Sequence, residues 1–275
     1  MTDASQALAR LQVTLNDIGD MAVAVSGGVD SMTLAVIAHR LAPQQVRMIH
    51  AVSAAVPTQA THRVREYAQR EQWQLQTLDA GEFSDPQYRA NPANRCFFCK
   101  SNLYGTMAKV CAEQLVSGTN VDDLGDYRPG LQAAEAHQVR HPYVEAGISK
   151  ALVRAIAHQL LLTDLAELPS APCLSSRIET GIAIDPRVLP VVNDVERFLG
   201  QTLNAGTVRC RVRHQGVVIE LDDATLGRLA PQQREELTAA VNERFAAIDH
   251  HHAVHFESYR MGSAFVRPAT QNEAQ

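Results

Sequence analysis

The stretch with the densest chemistry is Val25-Ser26-Gly27-Gly28-Val29-Asp30-Ser31. It is entered by the apolar run Met21 to Val25 and left by Met32 to Leu41, whose apolar residues recur at helical spacing. The unit therefore reads strand, glycine turn, helix. Two adjacent glycines let the backbone come close to a ligand and take angles that a Cβ forbids. The first N–H groups of a helix have no intrahelical acceptor, and the macrodipole adds positive charge there, so the turn is a cradle for an anion. Ser26 and Ser31 add hydroxyl donors, and Asp30 could hold a Mg²⁺ that bridges phosphates. The spacing is not the Walker pattern, because no lysine follows the second glycine and no four-residue spacer separates the two.

Cysteines and charges supply the other candidates. Cys173 lies between Pro172 and Leu174, ahead of two serines and Arg177. A lone cysteine is commonly a small buried hydrophobe, but a loop position beside a cation favours a reactive thiolate. Cys96 and Cys99 form a CxxC, which fits a redox pair, half a zinc site or part of an iron–sulfur cluster. No second CxxC is there to complete a zinc site; with Cys173 the thiolates number three, enough to hold a [4Fe–4S] cluster with one iron open. Cys111 falls among Met107, Ala108 and Leu115 on a helix face, Cys210 alternates with Arg209 and Arg211 on a strand, and both read as structural. Arg209, Arg211 and Arg213 share one strand face at period two and suit a phosphate. Glu196 is a candidate general base. Asp122, with Asp123, lies in a loop that could hold Mg²⁺ or order itself. His250 to His252 invite a metal reading but lack a fixed ligand spacing.

The SGGVDS turn after a buried strand resembles the PP-loop of the adenine-nucleotide α-hydrolase superfamily. That resemblance implies cleavage of ATP between its α and β phosphates, with Ser26, Gly27, Gly28, Val29, Asp30 and Ser31 around the nucleotide. Taken in order, SGGVDS, NRCFFCK, SGTNVDDLGDYRPG, HPYVEAGISKALVRAIA and APCLSSRI resemble the LarE family of ATP-dependent sulfur transferases. The match spans about residues 21 to 181, and a weaker one (RCRVRH, ESYRMGS) continues it. The resemblance implies adenylation of a carboxylate on pyridinium-3,5-biscarboxylic acid mononucleotide, followed by sulfur insertion toward the nickel-pincer cofactor. Cys173 would attack the adenylated carboxyl, with Arg177 and Glu196 beside it. Sulfur would come either from Cys173 itself, leaving dehydroalanine, or from a sulfide on a [4Fe–4S] cluster held by Cys96, Cys99 and Cys173. The cluster is the preferred expectation. Ser53, Gly118 and Asn120 are further nucleotide candidates, Mg²⁺ would sit on Asp30 and Asp122, and the three arginines would hold the acceptor's phosphate. Family members form hexamers, so a homo-oligomer is implied. Thr163 to Leu168 and Glu179-Thr180-Gly181 depart from the family's pattern.

These residues need a scaffold. Helices are expected at residues 4–17, 58–73, 101–114, 130–139 and 149–162, and strands at 46–53, 75–78, 115–117 and 140–144, with Asp79 to Asn94 a loop. Alternating strands and helices argue for an α/β fold, a parallel twisted sheet with helices on both faces, whose ligands sit beyond the strands' carboxyl ends. The Ser26 turn, Ser53 and Asp79 would share that rim. A domain boundary is expected after residue 181, leaving 182–275 as a smaller α+β domain with a hairpin through His214-Gln215-Gly216 and helices at 187–199 and 232–245.

The chain has 275 residues, 45% of them hydrophobic, which is enough for two cores. It has no long apolar run and no signal-peptide layout, so a soluble cytoplasmic protein is expected. A net charge of −5 argues against a nucleic-acid surface, and against the tRNA-thiolating relatives of the PP-loop superfamily. A non-catalytic nucleotide-binding module would leave the CxxC, Cys173 and Arg177 without a purpose.

Overall fold

The computed structural model describes residues 2–125, 128–250 and 252–266. The chain opens with α1 (Asp3–Ile18), β1 (Met21–Ala24), α2 (Val29–Leu41), β2 (Val46–Ala51), α3 (Thr58–Arg70) and β3 (Gln74–Leu78). Next come the single turn α4 (Pro86–Arg89), the long α5 (Arg95–Val110) and β4 (Gln114–Ser117). They are followed by α6 (Pro129–Ala136), α7 (Pro142–Glu145), α8 (Lys150–Gln159) and α9 (Thr163–Ala166). The rest is α10 (Val188–Leu203), β5 (Val208–Arg213), β6 (Gly216–Leu221), α11 (Asp223–Arg228), α12 (Pro231–Ala246) and β7 (Val254–Ser258).

Contacts divide the chain into two units, Met1–Glu82 with Cys96–Ala171, and Phe83–Arg95 with Pro172–Gln275. In the first, four parallel strands run in the order β3-β2-β1-β4. Alternation along the strands feeds two cores. Met21, Val23, Met48 and Val116 pack with α1, α2 and α8, while Ala22, Ile49 and Leu115 pack with Tyr104 and Met107 of α5 and Ala134 of α6. Helices thus cover both faces, and α2, buried nearly all round, lies in the deeper layer. The order reverses at β1, whose neighbours are β2 and β4. The crevice beyond the carboxyl ends of β1 and β4 is where such sheets bind ligands, and the Ser26 turn and the Gly118 loop leave the sheet there.

The second unit has a three-stranded sheet in the order β5-β6-β7. The expected hairpin forms, with Val208 opposite Leu221 and Arg213 opposite Gly216, and β7 joins parallel to β6. The central strand β6 is buried along its whole length. Helix α10 buries Val188, Leu189, Val192, Val195 and Leu199 on one stripe, and α12 buries Leu237, Val241 and Phe245.

Three local expectations change. Helix α5 begins at Arg95, so the CxxC lies in its first turn and not in a loop ahead of residue 101. The short strand expected at 140–144 is a single bridge from Arg140 to Val116, because Pro142 has no N–H for a ladder and starts a helical turn instead. Residues 79–94, expected as one loop, contain the single turn α4, and segment 83–95 packs with the second unit. Asn91 ties it there: fully buried at φ 53°, it donates its amide to the carbonyls of Glu179 (2.8 Å) and Ile182 (3.0 Å), and Gly181 N–H donates to its backbone oxygen (3.0 Å).

Candidate functional site

The glycine turn is organised by its own hydroxyls. Ser31 Oγ accepts the Ser26 N–H at 3.0 Å, lies 3.0 Å from Ser26 Oγ, and donates to the Gly28 carbonyl at 3.2 Å. Gly27 has φ +81°, and a Cβ there would lie 2.7 Å from the Ala60 carbonyl, so only glycine fits. Gly28, the N-cap of α2, has extended backbone, and a Cβ would meet nothing nearer than Ser26 Oγ at 3.5 Å. The space in front of Gly28 is open, as an anion cradle requires. Behind the turn, the buried His50 ring holds Val25 O at 2.8 Å and Thr61 Oγ1 at 2.9 Å, and burial pulls its pKa down. Ser53, just past β2, accepts the Ala55 N–H at 3.3 Å in a local turn. Asp79, just past β3, caps Gly81 N–H at 2.8 Å.

The loop after β4 is drawn onto the same turn. Gly118 lies so close to α2 that a Cβ would be 2.8 Å from Ser31 N. Asn120 is buried and donates to Asp30 Oδ1 at 3.4 Å. Asp30 Oδ2 is paired with the ammonium of Lys150. Asp122 Oδ2 accepts the backbone N–H of the same Lys150 at 2.9 Å, and Asp123 pairs with Arg128 at 2.9 Å. The two carboxylates proposed from sequence for Mg²⁺ therefore flank one lysine that sequence reading missed. A signal for it was present. Lys150 is the first residue of α8, after the N-cap Ser149, where the helix dipole disfavours a cation. Asp126 and Tyr127 of the same motif lie outside the described residues.

Cys96 is exposed and Cys99 partly buried; three residues apart, they face one side of the first turn of α5. Gly130 allows α6 close: a Cβ there would be 3.1 Å from Lys100 Cγ. Among the described residues no three His, Cys, Asp or Glu side chains gather as a metal site. His250 Nδ1 lies 3.3 Å from His252 Nε2, while His251 lies outside the described residues.

Cys173 is exposed at the head of the 3₁₀ turn Leu174–Arg177. Arg177 grips this turn from inside, donating to Pro172 O (2.8 Å), Cys173 O (3.4 Å) and Ser176 Oγ (2.9 Å). Its other edge forms a bidentate pair with Glu196, Nε to Oε1 at 2.9 Å and Nη2 to Oε2 at 3.0 Å, and Oε1 also accepts the Cys210 N–H at 2.9 Å. Burial lowers the pKa of Arg177, but the hydrogen bond and charge of Glu196 outweigh it and leave it raised. Both Glu196 oxygens are engaged, so the carboxylate positions Arg177 and is not a free base. Tyr88 Oη meets Ser175 Oγ at 2.6 Å, fixing the turn from the other side. Burial pushes the Cys210 thiol well up, in keeping with a structural cysteine.

The three arginines of β5 share a face with Glu220, which the register sets opposite Arg209. Arg211 Nε donates to Glu220 Oε2 at 2.9 Å, and Arg213 Nη2 to Glu220 Oε1 at 2.6 Å, with Glu257 on its other arm at 3.1 Å. Two of the three cations are thus neutralised inside the unit. Arg209 lies 5.8 Å from the Tyr259 ring, and burial, with the nearby charge of Arg177, lowers its pKa. The signal for this arrangement was Glu220 itself, a carboxylate in the middle of an apolar strand.

A Rossmann-like parallel sheet with a PP-loop motif at its switch point defines the class of this protein. No protein-family model matches the chain. It is 35% identical over 235 residues to an uncharacterised protein of Synechocystis, covering 81% of this chain and 87% of that one. It is 28% identical over 224 residues to the pyridinium-3,5-bisthiocarboxylic acid mononucleotide synthase of Lactiplantibacillus plantarum, covering 80% of each. An uncharacterised protein of Methanocaldococcus jannaschii is 26% identical over 207 residues, 73% of this chain and 77% of its own. The chain belongs to the LarE-like family. Among the described residues no helix is long and apolar enough to cross a membrane.

Proposed function

We propose that this protein is an ATP-dependent sulfurtransferase of nickel-pincer cofactor biosynthesis. It would adenylate a carboxylate of pyridinium-3,5-biscarboxylic acid mononucleotide, release pyrophosphate, and replace the activated oxygen by sulfur. The observation that carries the reading is the exposed Cys173 at the head of a turn gripped by buried Arg177, in a chain similar to a bisthiocarboxylic acid mononucleotide synthase.

The steps follow from charge and access. The Ser26 to Ser31 turn and the N-terminus of α2 receive phosphate oxygens through backbone N–H groups. Asp30 and Asp122 offer hard oxygen ligands at the same place, a donor set that suits Mg²⁺. When bound, that ion supplies charge neutralisation on the phosphates. Lys150, paired with Asp30, can exchange that carboxylate for a phosphate oxygen. Cys173 Sγ then attacks the acyl carbon of the adenylate and AMP leaves, giving a thioester. A base removes the Cys173 Cα proton, the Cβ–Sγ bond breaks, and the acceptor departs as a thiocarboxylate, leaving dehydroalanine. Arg177 holds the backbone on both sides of Cys173 throughout, and Glu196 holds Arg177.

The test supplies the purified chain with ATP and the biscarboxylic mononucleotide. Pyrophosphate release and one thiocarboxylate per chain are expected, with the Cys173 peptide lighter by the mass of H₂S. Cys173→Ala should keep pyrophosphate release and form no thiocarboxylate. Product made repeatedly with Cys173 unchanged would replace this route by one drawing sulfur from a cluster on Cys96, Cys99 and Cys173. No nucleotide-dependent pyrophosphate release would end the reading.

A further inference from the structure

We propose that Arg63 is a phosphate-binding residue of the nucleotide site and takes the pyrophosphate half of ATP; this rests on the ATP reading of the glycine turn. Arg63 lies in α3, which no motif of the sequence marks. Its Nη1 donates to the carbonyl of Gly27, the first glycine of the turn, at 2.7 Å.

The contact is preorganised. Helix α3 is held against the turn at its first residues, where Ala60 approaches Gly27 too closely for any side chain at that position. It is held again through His50, whose ring bridges Val25 O and Thr61 Oγ1. Arg63, two residues beyond Thr61, is therefore presented to the glycine turn by a fixed helix.

The partner is too weak for the group. A guanidinium carries five N–H donors in a planar fork and binds carboxylate or phosphate in pairs of charge-assisted bonds, whereas a peptide carbonyl offers one neutral acceptor. Lys150, the other cation at the turn, is offset by Asp30. No ion pair joins Arg63 to a carboxylate among the described residues. Its charge thus adds to the positive end of α2 without cancellation. The β and γ phosphates carry most of the charge of ATP and leave as pyrophosphate on adenylation, so the uncancelled cation matches that half.

Calorimetry of the full chain with ATP, pyrophosphate and AMP, each with Mg²⁺, tests the assignment. Arg63→Gln should weaken ATP and pyrophosphate by roughly ten- to a hundred-fold and leave AMP unchanged. Equal weakening of AMP and ATP would mean that Arg63 only braces Gly27, and unchanged ATP would mean that it does nothing there; either overturns the inference. Should the glutamine variant not fold, Arg63→Lys carries the test. It keeps the charge and loses the fork, so ATP and pyrophosphate should still weaken relative to AMP, and parallel behaviour of all three overturns the inference. A wild-type chain that binds pyrophosphate but not ATP would overturn the nucleotide reading itself, which separates the two failures.

Discussion

The glycine turn of the first unit and the arginine-bearing hairpin of the second both gather opposite charges, at different depths. Lys150 and Asp30 remain 35% and 24% exposed, whereas Arg211 and Glu220 are 5% and 1% exposed. A half-wet ion pair gains little from its own attraction, so either partner can be traded for a ligand at small cost. A dry pair is different. Desolvation offsets much of its attraction, yet removing one member strands the other charge in a low dielectric. The turn is thus built to exchange partners and the hairpin to keep them. For Arg211 to serve an acceptor phosphate, as the sequence suggests, Glu220 would have to stay compensated by Arg213.

The largest expected effect breaks the dry side. Glu220→Gln should cost about 3–5 kcal/mol in urea unfolding, because Arg211 loses its carboxylate and Arg213 one of two. A loss below 1 kcal/mol, on the scale of a surface pair, would erase the contrast. Lys150→Ala probes the wet side. Its unfolding free energy should change by less than about 1 kcal/mol while ATP weakens roughly ten-fold or more, read by calorimetry. The reverse pattern, unstable but binding normally, would make Lys150 a structural member.

The smallest effect concerns the buried imidazole behind the turn. The pKa of His50 is lowered from 6.5 by burial, so the unfolded chain takes up its proton first as pH falls. His50 therefore contributes to a loss of stability that starts near pH 6.5 and ends below its folded pKa, and half-buried His141, also lowered by desolvation, acts in the same direction. Urea midpoints compared at about pH 7.5 and about pH 5.5 should fall with acid, less so in His50→Gln. An equal fall in that variant would place the titration elsewhere.

Much of this was legible in the sequence. Period-two and helical patterns located the sheet, the SGGVDS turn and the hairpin, because those signals are local. The start of α5 at Arg95 was not, since Asn94, a capping type directly before it, follows Asn91-Pro92 and reads with them as loop. The pairing of Lys150 with Asp30 joins residues 120 positions apart and follows only from the parallel crossovers. Neutralisation of Arg211 needed the hairpin register, which brings Glu220 to the arginine face. Arg63 carried no signal, being one arginine of several on a polar helix.

Asn91 has a consequence for how the protein is made. Its amide and backbone reach carbonyls and N–H groups between residues 178 and 182, so the short segment around it cannot settle until nearly ninety later residues have left the ribosome. The strands of the four-stranded sheet are complete by residue 117, well before that. Translation thus leaves a thirteen-residue strip, Phe83 to Arg95, without its partners after the last strand of that sheet has been made. A stop codon anywhere before residue 178 would strand it permanently, and Asn91 would then present its amide to water and to the quality-control machinery of the cell.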